Sequence, residues 1–217
     1  MKKVQILVFL ISAIVGPQGA PAALGGFISD FEGGAGGWTV GGGTSSWQPS
    51  GGNTGGYALA IDVFNGPPTL TAYAPSEFTG DLSAYNGGTF SFDSMLLSGE
   101  GDFDPKFGRV KILSGSDSAT LDLATSDPTA SWMTYAAPLA ATAWGVTESL
   151  WSSILSDVTG LEITLESKNK SGEQMGLDNV QFEAPTAVPE PGGIVTMGIG
   201  LLGLAIRARC RRRRSVA

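Results

Sequence analysis

Apolar and polar residues alternate along the middle of this chain. Tyr57, Leu59, Ile61 and Val63 fall on one parity, as do Phe90 and Phe92, Val110 and Ile112, and Leu121 and Leu123. Leu161, Ile163 and Leu165 alternate with Glu162, Thr164 and Glu166. Successive side chains of a strand point to opposite faces, so period-two runs bounded by Gly, Asn, Pro and Asp predict antiparallel strands. About eight or nine short strands are expected among 27–31, 38–40, 57–64, 69–74, 89–97, 109–113, 119–123, 132–137, 161–166 and 175–183. The fold class is therefore all-β, a two-sheet antiparallel β-sandwich.

One segment departs from that period. Leu150, Trp151, Ile154, Leu155 and Val158 recur at helical spacing, which predicts one short helix over 147–157, packed over an end of the sandwich. Thr147 is placed to cap it, Glu148 to favour its first turn and Gly160 to end the element. The stretch 33–56 is rich in Gly and Ser but carries Trp38 and Trp47, which points to ordered loops. The stretch 184–191 contains Pro185, Pro189 and Pro191 and reads as a linker.

The two ends have another character. Lys2 and Lys3 precede an apolar run from Val4 to Val15, followed by Ala20-Pro21-Ala22. This is the layout of a cleavable signal peptide over 1–22, an N-terminal signal helix, with export through the Sec machinery. At the other end, Val188-Pro189-Glu190-Pro191 leads into an apolar stretch from Gly192 to Ile206. Arg207, Arg209, Arg211, Arg212, Arg213 and Arg214 follow within the tail 207–217. The stretch 192–206 is expected to be a short transmembrane helix. At about 1.5 Å per residue it extends roughly 22 Å, against about 30 Å of bilayer hydrocarbon. Arginines on one side favour the cytoplasmic face for that end.

These ends change the meaning of the charge. The whole chain has a net charge of −7. Between signal and tail there remain five basic residues (Lys106, Arg109, Lys111, Lys168 and Lys170) against nineteen acidic ones, a net charge of about −14. Such a body repels nucleic acid and anionic lipid and suits calcium or neutral glycans. The single cysteine, Cys210, lies in the tail, so the body has no intrachain disulfide. The chain has no histidine, which removes histidine-dependent triads, metal sites and general bases.

Carboxylates remain as candidate chemistry. Glu32 follows the first strand within Ser29 to Trp38. Asp178 shares the parity of Val180 and Phe182, so it is expected to face inward with them. If the first and last strands pair, the two acids converge as oxygen ligands for a structural Ca²⁺. The competing reading is two turn and edge carboxylates held by backbone N–H groups. Glu100, Asp102 and Asp104 form an acidic loop without an EF-hand pattern, which reads as solvated. Among Trp38, Trp47, Tyr57, Tyr73, Tyr85, Trp132 and Trp144, most are expected in the core. Trp47, in a polar Ser-Ser-Trp-Gln-Pro loop, is the best candidate for an exposed sugar-stacking ring.

Two resemblances follow from these residues. The Pro189-Glu190-Pro191 motif, the short apolar stretch and the terminal arginines together resemble the PEP-CTERM sorting signal. That resemblance implies an exosortase partner, transient inner-membrane anchoring and release to the cell surface or exopolysaccharide matrix of a Gram-negative, biofilm-forming bacterium. FEGGAGGW, GGYALAID, FTGDLSAYNGGTFSFD and GLDNVQF, in that order, resemble a laminin domain IV (laminin B) module over 23–183. More distantly they resemble jelly-roll carbohydrate-binding modules. The carbohydrate-binding relatives imply Ca²⁺ at positions matching Glu32 and Asp178. The expectation is a non-catalytic surface protein touching extracellular polysaccharide. The alternatives are a purely structural matrix component and a polysaccharide-active enzyme.

Overall fold

A computed structural model describes residues 26–186. The signal segment 1–22, Pro189-Glu190-Pro191, the apolar stretch 192–206 and the basic tail lie outside the described residues. No helix among the described residues is long and apolar enough to cross a membrane.

Eleven strands and one α-helix follow one another: β1 (Phe27–Ser29), β2 (Thr39–Gly41), β3 (Gly43–Gln48), β4 (Tyr57–Asp62), β5 (Thr71–Tyr73), β6 (Thr89–Ser98), β7 (Arg109–Ser114), β8 (Asp117–Asp122), β9 (Met133–Pro138), α1 (Glu148–Ser156), β10 (Gly160–Thr164) and β11 (Gln174–Glu183). The first sheet runs β3-β4-β11-β6-β9, with β1 also paired to β11. The second runs β2-β5-β10-β7-β8. All pairings are antiparallel. The chain is the two-sheet β-sandwich that the alternation predicts, of the jelly-roll type that the resemblances imply.

The core lies between the sheets. Phe90, Phe92, Leu177 and Phe182 of the first sheet face Val110, Ile112, Leu161 and Ile163 of the second, all at most 1–2% exposed. Burying each such side chain contributes about 1.5–3 kcal/mol. β1 is only three residues long, yet its Phe27 ring stacks on Phe182 at 5.3 Å and meets Phe78 edge-on at 4.9 Å. The first and last strands do pair, Phe27 opposite Phe182.

The helix forms as its stripe predicts. The Thr147 hydroxyl accepts from Leu150 N–H, and Trp151, Ile154 and Leu155 are buried. Trp151 stacks on Trp144 at 5.4 Å and donates to Asn86 Oδ1 at 2.9 Å. β3 is the strand that alternation misses. Gly43-Thr-Ser-Ser-Trp-Gln48 has no apolar period, but its backbone pairs with β4 over six residues as an edge strand.

Candidate functional site

The last strand sits between two partners along one side. β4 pairs with its first half, 174–177, and β1 with its second half, 180–182. Asp178 and Asn179 fall between them. Along β6 the partners of β11 run Leu177↔Ser94, Asp178↔Asp93 and then Gln181↔Ser91, so β11 carries an extra residue there. Asn179 takes up the bulge with a φ of 47°.

This bulge corrects the parity argument for Asp178. Leu177 and Val180 both face the core, and Asp178 turns to the outer face of the sheet together with Asp93. Asp178 is nevertheless fully buried, because the turn 51–56 covers it. Its Oδ2 accepts from Asn53 N–H at 2.8 Å and Thr54 N–H at 3.4 Å, and its Oδ1 from Asn179 N–H at 2.8 Å. Asp93 accepts from the Asn53 amide at 2.7 Å, the Asn179 amide at 2.8 Å and the Thr134 hydroxyl. Two buried carboxylates thus stand opposite each other across the strands, held by amide and hydroxyl donors. Burial pushes the pKa of Asp178 up to about 6 despite its backbone donors, and the Asp93 charge adds to the rise.

Glu32 lies three residues beyond the end of β1 and is exposed. Its carboxylate occupies the space that a side chain at Gly55 would need, and Asp178 Oδ2 crowds Gly52 in the same way. The two predicted acids therefore touch one glycine turn, in which Gly52 N–H donates to Gly55 O at 3.0 Å. Asp178 has the amide partners that the competing reading foresaw. The Glu32 carboxylate takes no hydrogen bond among the described residues, which leaves it available as a cation ligand.

Trp47 is 38% exposed, at the sandwich edge. Its indole N–H donates to Phe31 O at 2.7 Å. With Trp38, Val40 and Leu165 it lines a cavity of about 170 Å³ between β2 and β3. Trp132 lies on the outer face of the first sheet, over Gly176 and edge-on to Tyr57 at 5.5 Å. Asp104 is tied to Lys106 at 2.9 Å and Glu100 to Lys170 at 2.7 Å, while Asp102 is exposed.

The outer face of the second sheet is open and polar. Thr39, Tyr73, Glu162, Lys111 and Thr120 stand side by side across five strands. Tyr73 is 40% exposed and its ring lies over Gly41, where any side chain would collide with it. Sequence reasoning counted Tyr73 among the aromatics without singling it out. Its parity, opposite to that of the core-facing Ala72, was the available signal.

A family model for the PEP-CTERM protein-sorting motif matches residues 187–213. No curated protein sequence matches the chain. An exo-β-agarase structure is similar over 76% of this chain at 12% identity, with a TM-score of 0.54. The match takes in 25% of the agarase, so the chain spans a quarter of that enzyme's length. The L4b domain of human laminin α-2 is similar over 59% of this chain and 79% of its own, at 13% identity and a TM-score of 0.48. The CBM22-1 xylan-binding domain of Paenibacillus barcinonensis Xyn10C is similar over 77% of this chain and 100% of its own, at 19% identity and a TM-score of 0.47. Likenesses at such identities concern the fold, not the ligand. The chain thus joins a two-sheet jelly roll to a C-terminal PEP-CTERM protein-sorting motif, the mark of an exported protein anchored transiently through its C-terminal region.

Proposed function

We propose that this protein is processed by an exosortase to the cell surface or extracellular matrix, where its jelly roll contacts polysaccharide without catalysis. The observation that carries this reading is the open outer face of the second sheet, where Tyr73 stands exposed among Thr39, Glu162, Lys111 and Thr120. An aromatic ring flanked by hydroxyl, carboxylate and ammonium groups is the chemistry that binds a sugar, through its apolar face and its hydroxyls. Trp47 offers a second ring at the sandwich edge. The sorting motif would bring that face to an extracellular matrix. The burial of Asp93 and Asp178 beneath the 51–56 turn counts against hydrolysis by that carboxylate pair. A Ca²⁺ held by Glu32 and Asp178 against that turn is the finer part of this reading, supported by the donor-free carboxylate of Glu32.

The test is binding of the full chain, purified in detergent, to the exopolysaccharide of its own host. Y73A is expected to weaken binding by about tenfold, the equivalent of ~1.4 kcal/mol of ring contact. W47A is compared alongside it. Wild-type protein that does not bind, or binding that neither variant changes, overturns the reading in favour of a purely structural component.

A further inference from the structure

A second group of acids lies at the far end of β4 from the 51–56 turn. Asp62 closes β4, Glu166 follows β10 and Glu173 immediately precedes β11. They are 1%, 2% and 0% exposed. One carboxylate oxygen from each falls within 4.8 Å of the others. The backbone fixes this arrangement: Asp62 N–H donates to Glu173 O and Gly172 N–H to Asp62 O, both at 2.9 Å.

The donors around these acids do not suffice. Glu173 is well served, by Ser167 N–H at 2.8 Å, Lys168 N–H at 3.0 Å and the Ser167 hydroxyl. Glu166 accepts from Leu70 N–H at 2.7 Å. Asp62 Oδ1 accepts from Phe64 N–H at 2.9 Å, but Asp62 Oδ2 is buried with no hydrogen-bond partner among the described residues. Buried carboxylate oxygens are rarely left so, because the water they give up must be replaced. No basic side chain among the described residues fills the gap. Lys106, whose charge reaches Glu166, is engaged by Asp104 at 2.9 Å. Lys168 lies over the Phe103 ring at 3.2 Å, and Lys170 pairs with Glu100. Arg109 and Lys111 belong to the outer face of the second sheet.

We propose that Asp62, Glu166 and Glu173 bind a Ca²⁺ ion that fastens the segments 63–70 and 165–173 to this end of the sandwich. Oxygens at 2.3–2.6 Å from one Ca²⁺ lie no more than about 5 Å apart, which the observed spacing satisfies. An all-carboxylate set selects a hard cation over zinc or copper. Donors from a strand end and two loop positions suit the tolerant coordination of Ca²⁺ better than the strict octahedron of Mg²⁺. Burial raises the pKa of Glu166 and of Glu173, and the charges of neighbouring acids add to each rise. The site is separate from Glu32 and Asp178 and does not depend on the polysaccharide reading.

Calorimetric titration and melting of the calcium-stripped full chain test the proposal, using wild type, D62N, E166Q and E32Q. D62N and E166Q should each reduce the number of bound Ca²⁺ by one relative to wild type. Each should also lose one calcium-dependent step in melting temperature. D62N places an amide donor among the remaining carboxylates, so its calcium-free melting temperature should match or exceed that of wild type. That behaviour separates ion loss from misfolding. If D62N and E166Q keep the wild-type stoichiometry and melting response, the proposal is overturned. A count lowered by E32Q alone would assign the ion to the 51–56 turn and also overturn it. A count lowered by D62N and E166Q but not E32Q supports this site and removes calcium from Glu32.

Discussion

Asn179 adopts a left-handed backbone, which Asn tolerates better than most residues. It also donates its N–H to Asp178 and its side-chain amide to Asp93. Replacing it with alanine should therefore act twice. The left-handed conformation costs Ala about 1–2 kcal/mol. Losing a donor to a buried carboxylate costs about 1.5–3 kcal/mol more. N179A is expected to lower unfolding stability in urea by roughly 2.5–5 kcal/mol, and N179G to recover only the backbone share. Equal stability of N179A and wild type would mean that neither the bulge nor the Asp93 contact is under tension. The same residue explains where the sequence misled. Strict alternation sends Asp178 inward with Val180 and Phe182, but one inserted residue reverses the face. The apolar pair Leu177 and Val180, three apart rather than two, was the available clue. Asp62 was no more legible: the apolar row Tyr57, Leu59 and Ile61 points it outward, whereas β4 turns Ala58, Ala60 and Asp62 to the core.

At the scale of elements, the apolar runs placed nearly every strand, since burial of one face fixes both period and register. β3 escaped because an edge strand with polar side chains draws its stability from backbone pairing, which leaves no hydrophobic period. The helix was legible because its stripe and its cap agree, although it ends at Ser156 with Asp157 as its C-cap and Gly160 instead opens β10. Leu150 N–H reaches Thr147 Oγ1 at 3.3 Å, the one side-chain bond at the helix start. T147A should lower stability by about 1 kcal/mol, and T147S should restore it. An unchanged urea midpoint in T147A would place the determinant of the helix start in the burial of Trp151 instead. The three-acid cluster was the least legible feature, because its members come from three segments that only the sheet topology assembles.

For the whole molecule, the two ends decide where the acidic body goes. A helix over the apolar stretch 192–206 would extend roughly 22 Å, short of the hydrocarbon core, and the arginines would then bear part of the anchoring. A tail of that kind holds a protein while it is processed and is poorly suited to hold it permanently. Its removal would take six arginines and, with the signal also gone, would move the net charge from −7 toward about −14. Surface-located protein should therefore focus at a more acidic position than the full chain, and its C-terminal peptide by mass spectrometry should end before Arg207. Changing Glu190 to Ala within the Pro-Glu-Pro motif should keep the arginines attached and the protein in the membrane fraction. Recovery of Arg211 to Arg214 on wild-type protein at the cell surface would make the tail a permanent anchor. The body would then act while tethered, and binding to polysaccharide would join the matrix to the membrane instead of building the matrix itself.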